Sequence, residues 1–433
     1  MPDSEKLRRP GYTPANTALG RLGSHTRQRI LTCAAELFIA GGYHGTSMDA
    51  IAKAVGGSRA VVYQYFENKE QIFAEWARQC EQAVLEHGQH LGRLGPDAEG
   101  LQNLDHWLHE WGELYDKYAM VFGEFPGIGT IEGLPATDTE LVAENYTQLV
   151  ARKLRDAGVS EIAPAYAATA LLRISHMVNL YRYRGMFGLS SRKTTSESLT
   201  IAMQLMLFPD TPAHVIAAGR RRVADHIASN TPQPTDTVTA EQPAALDASP
   251  TREDLLSAAS ALFAEHGYHA VAMEDIAAAA SVSRATLYRY FSNKVTILAE
   301  LTNRAVIAAK LLAAELVQLA DNDPDIAALR VWMDHYVAFH RGYRGVIRGW
   351  FDGTLAEHLS EVSQGIGALR AAVAAILDRF TLPEGVSRTM GGAIFMAVLG
   401  RMTEPITAQR SADSDDDTAA LMVQLLQRAL VRR

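Results

Sequence analysis

Two short stretches carry side chains suited to gripping a polyanion. Ser58 to Phe66 reads S-R-A-V-V-Y-Q-Y-F and is followed by Lys69; Ser283 to Phe291 reads S-R-A-T-L-Y-R-Y-F and is followed by Lys294. An arginine offers a planar fork of donors that fits a guanine edge or a phosphate, while tyrosine and lysine donate single hydrogen bonds to phosphate oxygens. Neither nine-residue stretch contains an acid. The plainer reading makes Arg59, Arg284, Lys69 and Lys294 a solvated helix face, and Tyr63, Tyr288, Phe66 and Phe291 packing residues. Other chemistry is poorly served. His87 with His90, and His106 with His109, stand at i, i+3 without a matching Glu/His set for a metal. H-E-x-x-H, G-x-S-x-G and a phosphate-cradling glycine loop are all missing, so no enzyme, cofactor or metal is expected.

The elements that must position these residues occur twice. Thr26–Lys69 aligns with Thr251–Lys294 without a gap at a shift of 225, with about half the positions identical. The same shift takes Trp107 to Trp332, Tyr118 to Tyr343 and Phe125 to Trp350. Apolar residues recur at helical spacing, as in Ile30, Leu31, Ala34, Leu37 and Phe38, and alternating strand-type runs are not found. The fold class is therefore all-α, one module written twice. Within each repeat, three helices are expected. The first ends at a glycine–tyrosine step (Gly42-Tyr43, Gly267-Tyr268) with the glycine as left-handed cap. Thr46 or Ser47 caps the second, and the Gly56-Gly57 turn leads to a third capped by Ser58. Two helices joined by such a turn make a helix-turn-helix, whose second member fits the major groove.

Composition bounds the rest. The chain has 433 residues and a formal net charge of −8, with 48% hydrophobic residues. That is the profile of an ordinary globular protein, and its acidity argues against indiscriminate coating of nucleic acid. Cys33 and Cys80 are the two cysteines, too few for a disulfide framework or a cysteine zinc site, and fit a reducing cytoplasm. The longest uncharged apolar stretch, Met390–Gly400, is about half of the ~20 residues a bilayer requires, and the polar N-terminus lacks a secretory core. No membrane partner is expected. The domain reading is 1–23 a flexible basic arm, 24–70 the first helix-turn-helix domain, and 71–227 the first helical ligand/dimerisation domain. A Pro-rich acidic linker follows at 228–250, then the second helix-turn-helix domain at 251–295 and the second ligand/dimerisation domain at 296–433.

T-S-M-D-A-I-A followed by S-R-A-V-V-Y-Q-Y-F-E-N-K, and M-E-D-I-A followed by S-V-S-R-A-T-L-Y-R-Y-F-S-N-K, resemble the DNA-binding domain of the TetR family of bacterial transcriptional regulators, in its tandem single-chain form. The resemblance implies base-reading roles for Arg59, Ala60, Val61 and Tyr63, and for Arg284, Ala285, Thr286 and Tyr288. It implies phosphate contacts from Thr46, Tyr65 and Lys69, and from Ser283, Tyr290 and Lys294. It further implies double-stranded DNA and a small-molecule effector as partners, with a ligand-released repressor as the function. The last two helices of each copy, about Ala163–Arg184 with Thr195–Leu207 and Val386–Arg401 with Asp415–Leu430, are expected to pair within the chain. The result is a monomeric pseudo-dimer, or a homodimer of the tandem chain.

The copies differ where reading occurs: Val61 against Thr286 and Gln64 against Arg289. Two unlike readers imply an asymmetric operator, with half-sites one helical turn or a multiple apart. The second copy has Val271-Ala272 where the first has Thr46-Ser47, so the alternative is a ligand-binding or interaction module with one working reader. The first module, with its basic arm, is expected to anchor more strongly. Trp107, Trp111, Tyr118, Phe125 and His176 in the first copy, and Trp332, Tyr336, Tyr343, Trp350 and Arg401 in the second, serve as core or as an effector pocket. Their character suits a lipid, acyl thioester, sterol or aromatic compound. Arg401, equivalent to His176, requires an acidic partner across the interface or on a ligand.

Overall fold

A computed structural model describes residues 21–43, 45–124, 136–159, 161–221, 249–268, 270–322, 325–349, 359–404 and 415–431. Phe125, Trp350, the arm as far as residue 20 and the linker through residue 248 lie outside them. Among the described residues the regular elements are all helical. The first copy contributes α1 (Arg21–Gly41), α2 (Met48–Val55), α3 (Arg59–Tyr65), α4 (Lys69–His90), α5 (Ala98–Glu124), α6 (Ala136–Asp156), α7 (Pro164–Tyr183), α8 (Arg192–Leu207) and α9 (Ala213–Arg221). The second contributes α10 (Pro250–His266), α11 (Met273–Ala279), α12 (Arg284–Tyr290), α13 (Lys294–Asp321), α14 (Ile326–Gly342), α15 (Arg344–Gly349), α16 (Leu359–Leu377), α17 (Arg388–Arg401) and α18 (Asp415–Leu430). Shifted by 225, α1–α4 fall on α10–α13, α6 on α16, α7 on α17 and α8 on α18. Helix α5 is kinked at Tyr118 (φ −114°, ψ 25°), and its counterpart breaks at the equivalent Tyr343 (φ −108°, ψ 15°) into α14 and α15.

The chain forms two compact units: Met1–Gln89 with Glu113–Tyr146, and His90–Gly112 with Thr147–Arg433. The first unit holds the first helix-turn-helix around Ile30, Leu31, Ala34, Phe38, Ile51, Ala52, Val62, Phe66, Ile72, Phe73 and Trp76, all buried. In the second unit Leu255, Leu256, Ala259, Phe263, Ile276, Ala277, Leu287, Phe291, Ile297, Leu298 and Leu301 repeat that core position for position. Val346 of α15 joins them, and Gly345 makes its approach possible, because a Cβ there would lie 2.4 Å from the Ser260 carbonyl of α10.

The second unit also contains the pairing of the two copies. Helix α7 packs on α17 and α8 on α18. Thirteen residues of α7 and ten of α17 are buried, on every side of each helix, so neither would be stable facing water. Polar contacts tie the seam. Arg173 Nη1 donates to the carbonyls of Arg401 (2.8 Å) and Glu404 (2.9 Å) at the end of α17, groups that no further helical turn satisfies. Ser198 Oγ donates to the Gly385 carbonyl (2.9 Å), and Arg428 meets Glu161 at 3.2 Å.

The turn between the paired helices needs one left-handed residue. The first copy uses Gly56 (φ 71°), whose N–H closes on Lys53; the second places Ser281 there at φ 55°. A side chain in that region costs about 1 kcal/mol or more. Two departures from the sequence reading are local. Gly267 caps α10 at φ 79°, ψ 153°, outside the left-handed helical region, and Ser58 makes no side-chain cap bond, whereas Ser47 and Ser283 do. In urea unfolding, Gly56→Ala is expected to lose about 1 kcal/mol and Ser281→Gly to gain up to about 1 kcal/mol. Equal effects of the same sign would overturn the shared-turn argument.

Candidate nucleic-acid interface

Helices α3 and α12 each turn one residue inward, Val62 or Leu287, and the extended residue that ends each helix, Phe66 or Phe291, is buried as well. That anchoring leaves Arg59, Ala60 and Gln64 exposed, with Val61 and Tyr63 partly so. On α12 it exposes Arg284, Ala285, Tyr288 and Arg289, with Thr286 partly buried. Each helix is seven residues long and its buried residues fix its rotation, so the base-reading candidates of each copy are brought together.

A pair of residues missed by the sequence reading completes each face. Arg59 Nε and Nη2 bond both carboxylate oxygens of Asp49, in the first turn of α2. Arg284 Nη2 bonds Glu274, in the first turn of α11. Positions 49 and 59 shifted by 225 are 274 and 284, so the repeat itself carried the signal: an acid ten residues before the arginine in both copies.

The phosphate candidates separate into groups with different surroundings. The Thr46 hydroxyl is buried and donates to the carbonyls of Gly42 (2.9 Å) and Leu37 (3.2 Å), fixing the loop before α2. Lys69 Nζ donates to the carbonyls of Tyr43 (2.9 Å) and Thr46 (3.2 Å) and lies 4.5 Å over the Tyr43 ring. Lys294 repeats this on Tyr268 (2.7 Å) and Val271 (2.6 Å), and burial lowers its pKa. Both ammoniums thus pin the loop before α2 or α11. The Ser283 hydroxyl accepts from Thr286 N (3.1 Å) as helix cap. Tyr290 OH meets Ser249 Oγ at 3.0 Å, a bond that lowers its pKa, and Tyr65 is partly exposed. The second copy has no hydroxyl ahead of α11, and the Asp275 carboxylate accepts the Ala272 N–H there instead (2.8 Å).

Each helix-turn-helix is fastened to the helix that follows it by the same clamp. Arg27 of α1 pairs with Glu75 of α4 at 3.0 Å and lies 4.7 Å over the Phe66 ring. Arg252 pairs with Glu300 and lies 5.0 Å over Phe291. Burial pushes the Glu75 pKa up, but the Arg27 bond and charge outweigh it and hold the carboxyl below its ordinary value.

The effector candidates are buried. Trp107, Trp111 and Tyr118 are each core residues, Tyr118 edge-on to Trp76. Trp332 stacks on Tyr336 (5.6 Å) and donates from Nε1 to the Leu312 carbonyl (2.9 Å); Tyr343 is partly buried against Phe339. Arg401 meets a carboxylate of its own copy: Glu404, three residues on, lies 3.3 Å away. Beside it, burial, with Arg401's charge adding, drives the His176 pKa down to about 3. Burial takes His340 to about 4, and its Nδ1 meets Thr403 Oγ1 at 2.9 Å.

Comparison with known proteins places these observations. The family model "Bacterial regulatory proteins, tetR family" matches residues 30–76 and again 255–301. The HTH-type transcriptional regulator UidR of Escherichia coli K12 is 30% identical over 148 residues, covering 32% of this chain and 70% of UidR. The HTH-type transcriptional activator FasR of Mycolicibacterium smegmatis is 30% identical over 137 residues, covering 31% of this chain and 61% of FasR. A tetR-family transcriptional regulator from Streptomyces coelicolor aligns with 47% of this chain and 90% of its own at 20% identity, with a TM-score of 0.32. Among the described residues, no helix is long and apolar enough to cross a membrane.

Two outcomes follow for the DNA-free protein. Lys294→Ala should cost about 1–3 kcal/mol by leaving two partly buried carbonyls short of a donor, while Arg284→Ala should change stability by less than about 0.5 kcal/mol. Similar losses from both would deny Lys294 its structural role. The histidines set an acid limit. Their folded pKa values lie below an unfolded value near 6.5, so the unfolded chain binds the extra protons. Their stabilisation is complete above about pH 6.5 and is lost as pH falls towards 4 and 3. Between about pH 6.5 and 5 each contributes a loss on the order of 2 kcal/mol. Urea unfolding across that window should show a shallower decline for His176→Leu than for wild type; parallel declines would overturn it.

Proposed function

Because the chain belongs to the TetR family of bacterial regulatory proteins, and is thereby a DNA-binding transcriptional regulator, we propose that it is a ligand-released repressor reading an asymmetric operator with two unlike heads. The observation that carries this reading is the presence of two complete helix-turn-helix cores, built from buried residues at equivalent positions, that carry different side chains at equivalent outer places: Val61 against Thr286 and Gln64 against Arg289. A shared core with changed outer residues alters which bases are read and leaves the docking geometry intact.

Release by an effector requires a path from the ligand domain to the reading helix. In the second copy that path is short. Helix α14 ends at the Tyr343 break, α15 sends Val346 into the helix-turn-helix core, and α13 continues from the end of α12 into the ligand domain. An effector that binds better when the break is opened or closed would shift the α12 orientation and weaken DNA binding by the same coupling free energy. The buried aromatic residues near the break favour an apolar or amphipathic effector.

Selection from random duplex DNA with the purified full chain, followed by footprinting, tests the reading. Two unlike half-sites about one helical turn or a multiple apart are expected. Arg284→Ala should relax preference at one position and cost about 1–3 kcal/mol of specific binding. A perfect palindrome bound best would overturn the asymmetric operator, and protection of a single half-site would assign all reading to one head.

A further inference from the structure

We propose that Asp49 and Glu274 are specificity-determining residues, which hold the first arginine of each reading helix for a base edge and keep it from non-specific phosphate. The inference rests on the DNA-reading function above. The pairing Asp49–Arg59 recurs as Glu274–Arg284 at the same positions of a copy that has diverged elsewhere, and Asp became Glu without loss of the ion pair.

Burial decides what such a pair can do. The side chains are 65% and 53% exposed in the first copy and 67% and 43% exposed in the second. An ion pair that wet contributes little to folding, because water screens it and both side chains must be ordered. It also exchanges easily, so the guanidinium can leave the carboxylate for a better-matched acceptor. Its effect on DNA binding is larger. A carboxylate set at the reading face repels phosphate, and in doing so opposes sequence-independent binding, which is dominated by phosphate contacts. A guanine edge accepts two hydrogen bonds from one guanidinium and repays the exchange. The acid thus raises the threshold for leaving it, and only the matched base exceeds that threshold.

The face around Asp49 strengthens the case. Asp49, Arg59, Tyr63, Glu67, Lys69 and Glu70 line an open concavity of about 490 Å³. The second copy has Ser292 and Val295 in place of Glu67 and Glu70, so Glu274 is the acid left at these three positions. At these three positions the first reading face is therefore the more acidic.

The experiment uses the full chain carrying Asp49→Asn, Glu274→Gln, Asp49→Glu or Glu274→Asp. Affinity for the selected operator and for unrelated duplex DNA is measured across a salt series. With Asn or Gln, non-specific binding should tighten, its log–log salt slope should steepen by about one per freed arginine, and the operator-to-random ratio should fall about tenfold. The Glu and Asp exchanges should keep the wild-type ratio. A helix-stabilising role alone would lower stability and leave ratio and slope unchanged, which would overturn the proposal. Loss of operator affinity with a new preference at one base pair would overturn it too, by making the acid itself a reader of cytosine. Wild type that binds no selected DNA at all would remove the function beneath it, a result separable from either.

Discussion

The pairing of the two copies in the second unit depends on burying α7 against α17. Thirteen residues of α7 and ten of α17 are buried, polar ones such as His176 and Arg401 among them, which leaves each helix little of the water-facing side an amphipathic helix keeps. In a single-module chain such a helix must wait for a second molecule; here the partner is encoded a few hundred residues downstream. The association becomes intramolecular, and its strength no longer depends on protein concentration. It also frees the two copies from identity. In a homodimer every substitution is made twice, once on each side of the axis, whereas a tandem chain can change one side alone.

The seam shows the consequence of that freedom. Arg173 spans the interface to hold the last carbonyls of α17, and the residue equivalent to it in the second copy is Val398, which is fully buried. His176 and Arg401 are likewise equivalents, and Arg401's proximity helps keep His176 neutral. The seam thus brings together two arginines, Arg173 and Arg401, and a neutral histidine, and the carbonyls at the end of α17 are the acceptors that Arg173 meets there.

Much of the architecture could be read from residue order because each relevant signal is local or repeated. Ile30, Leu31, Ala34 and Phe38 mark a helix face by spacing alone, and the shift of 225 carried the core of one copy onto the other. The pairing of the helices at the seam followed from the family resemblance, and the longest uncharged apolar run among the four is Met390–Gly400 of α17. What escaped was mostly a matter of hydrogen-bond geometry. A lysine just beyond a basic reading helix reads as a phosphate donor, and residue order does not show that Lys69 and Lys294 each also donate to two loop carbonyls. Nor does it show that the Thr46 hydroxyl closes on the carbonyls of Gly42 and Leu37. Ser58 and Ser283 are identical in type and position but cap differently: Ser283 meets both the N–H and the hydroxyl of Thr286, where the first copy has Val61.

The two breaks at Tyr118 and Tyr343 bear on how such a molecule can respond to a ligand. A long continuous helix transmits displacement as a rigid rod. Interrupted, it becomes two segments with a hinge, and the short segment α15 is free to follow the helix-turn-helix core into which Val346 inserts. The clamp Arg252–Glu300 fastens α10 to α13. The reading helix α12 is therefore held by two elements that both originate in the ligand domain, one through packing and one through an ion pair stacked on Phe291. A relative movement of α13 against α15 must rotate the core between them, because a close-packed interior cannot absorb the mismatch as empty space.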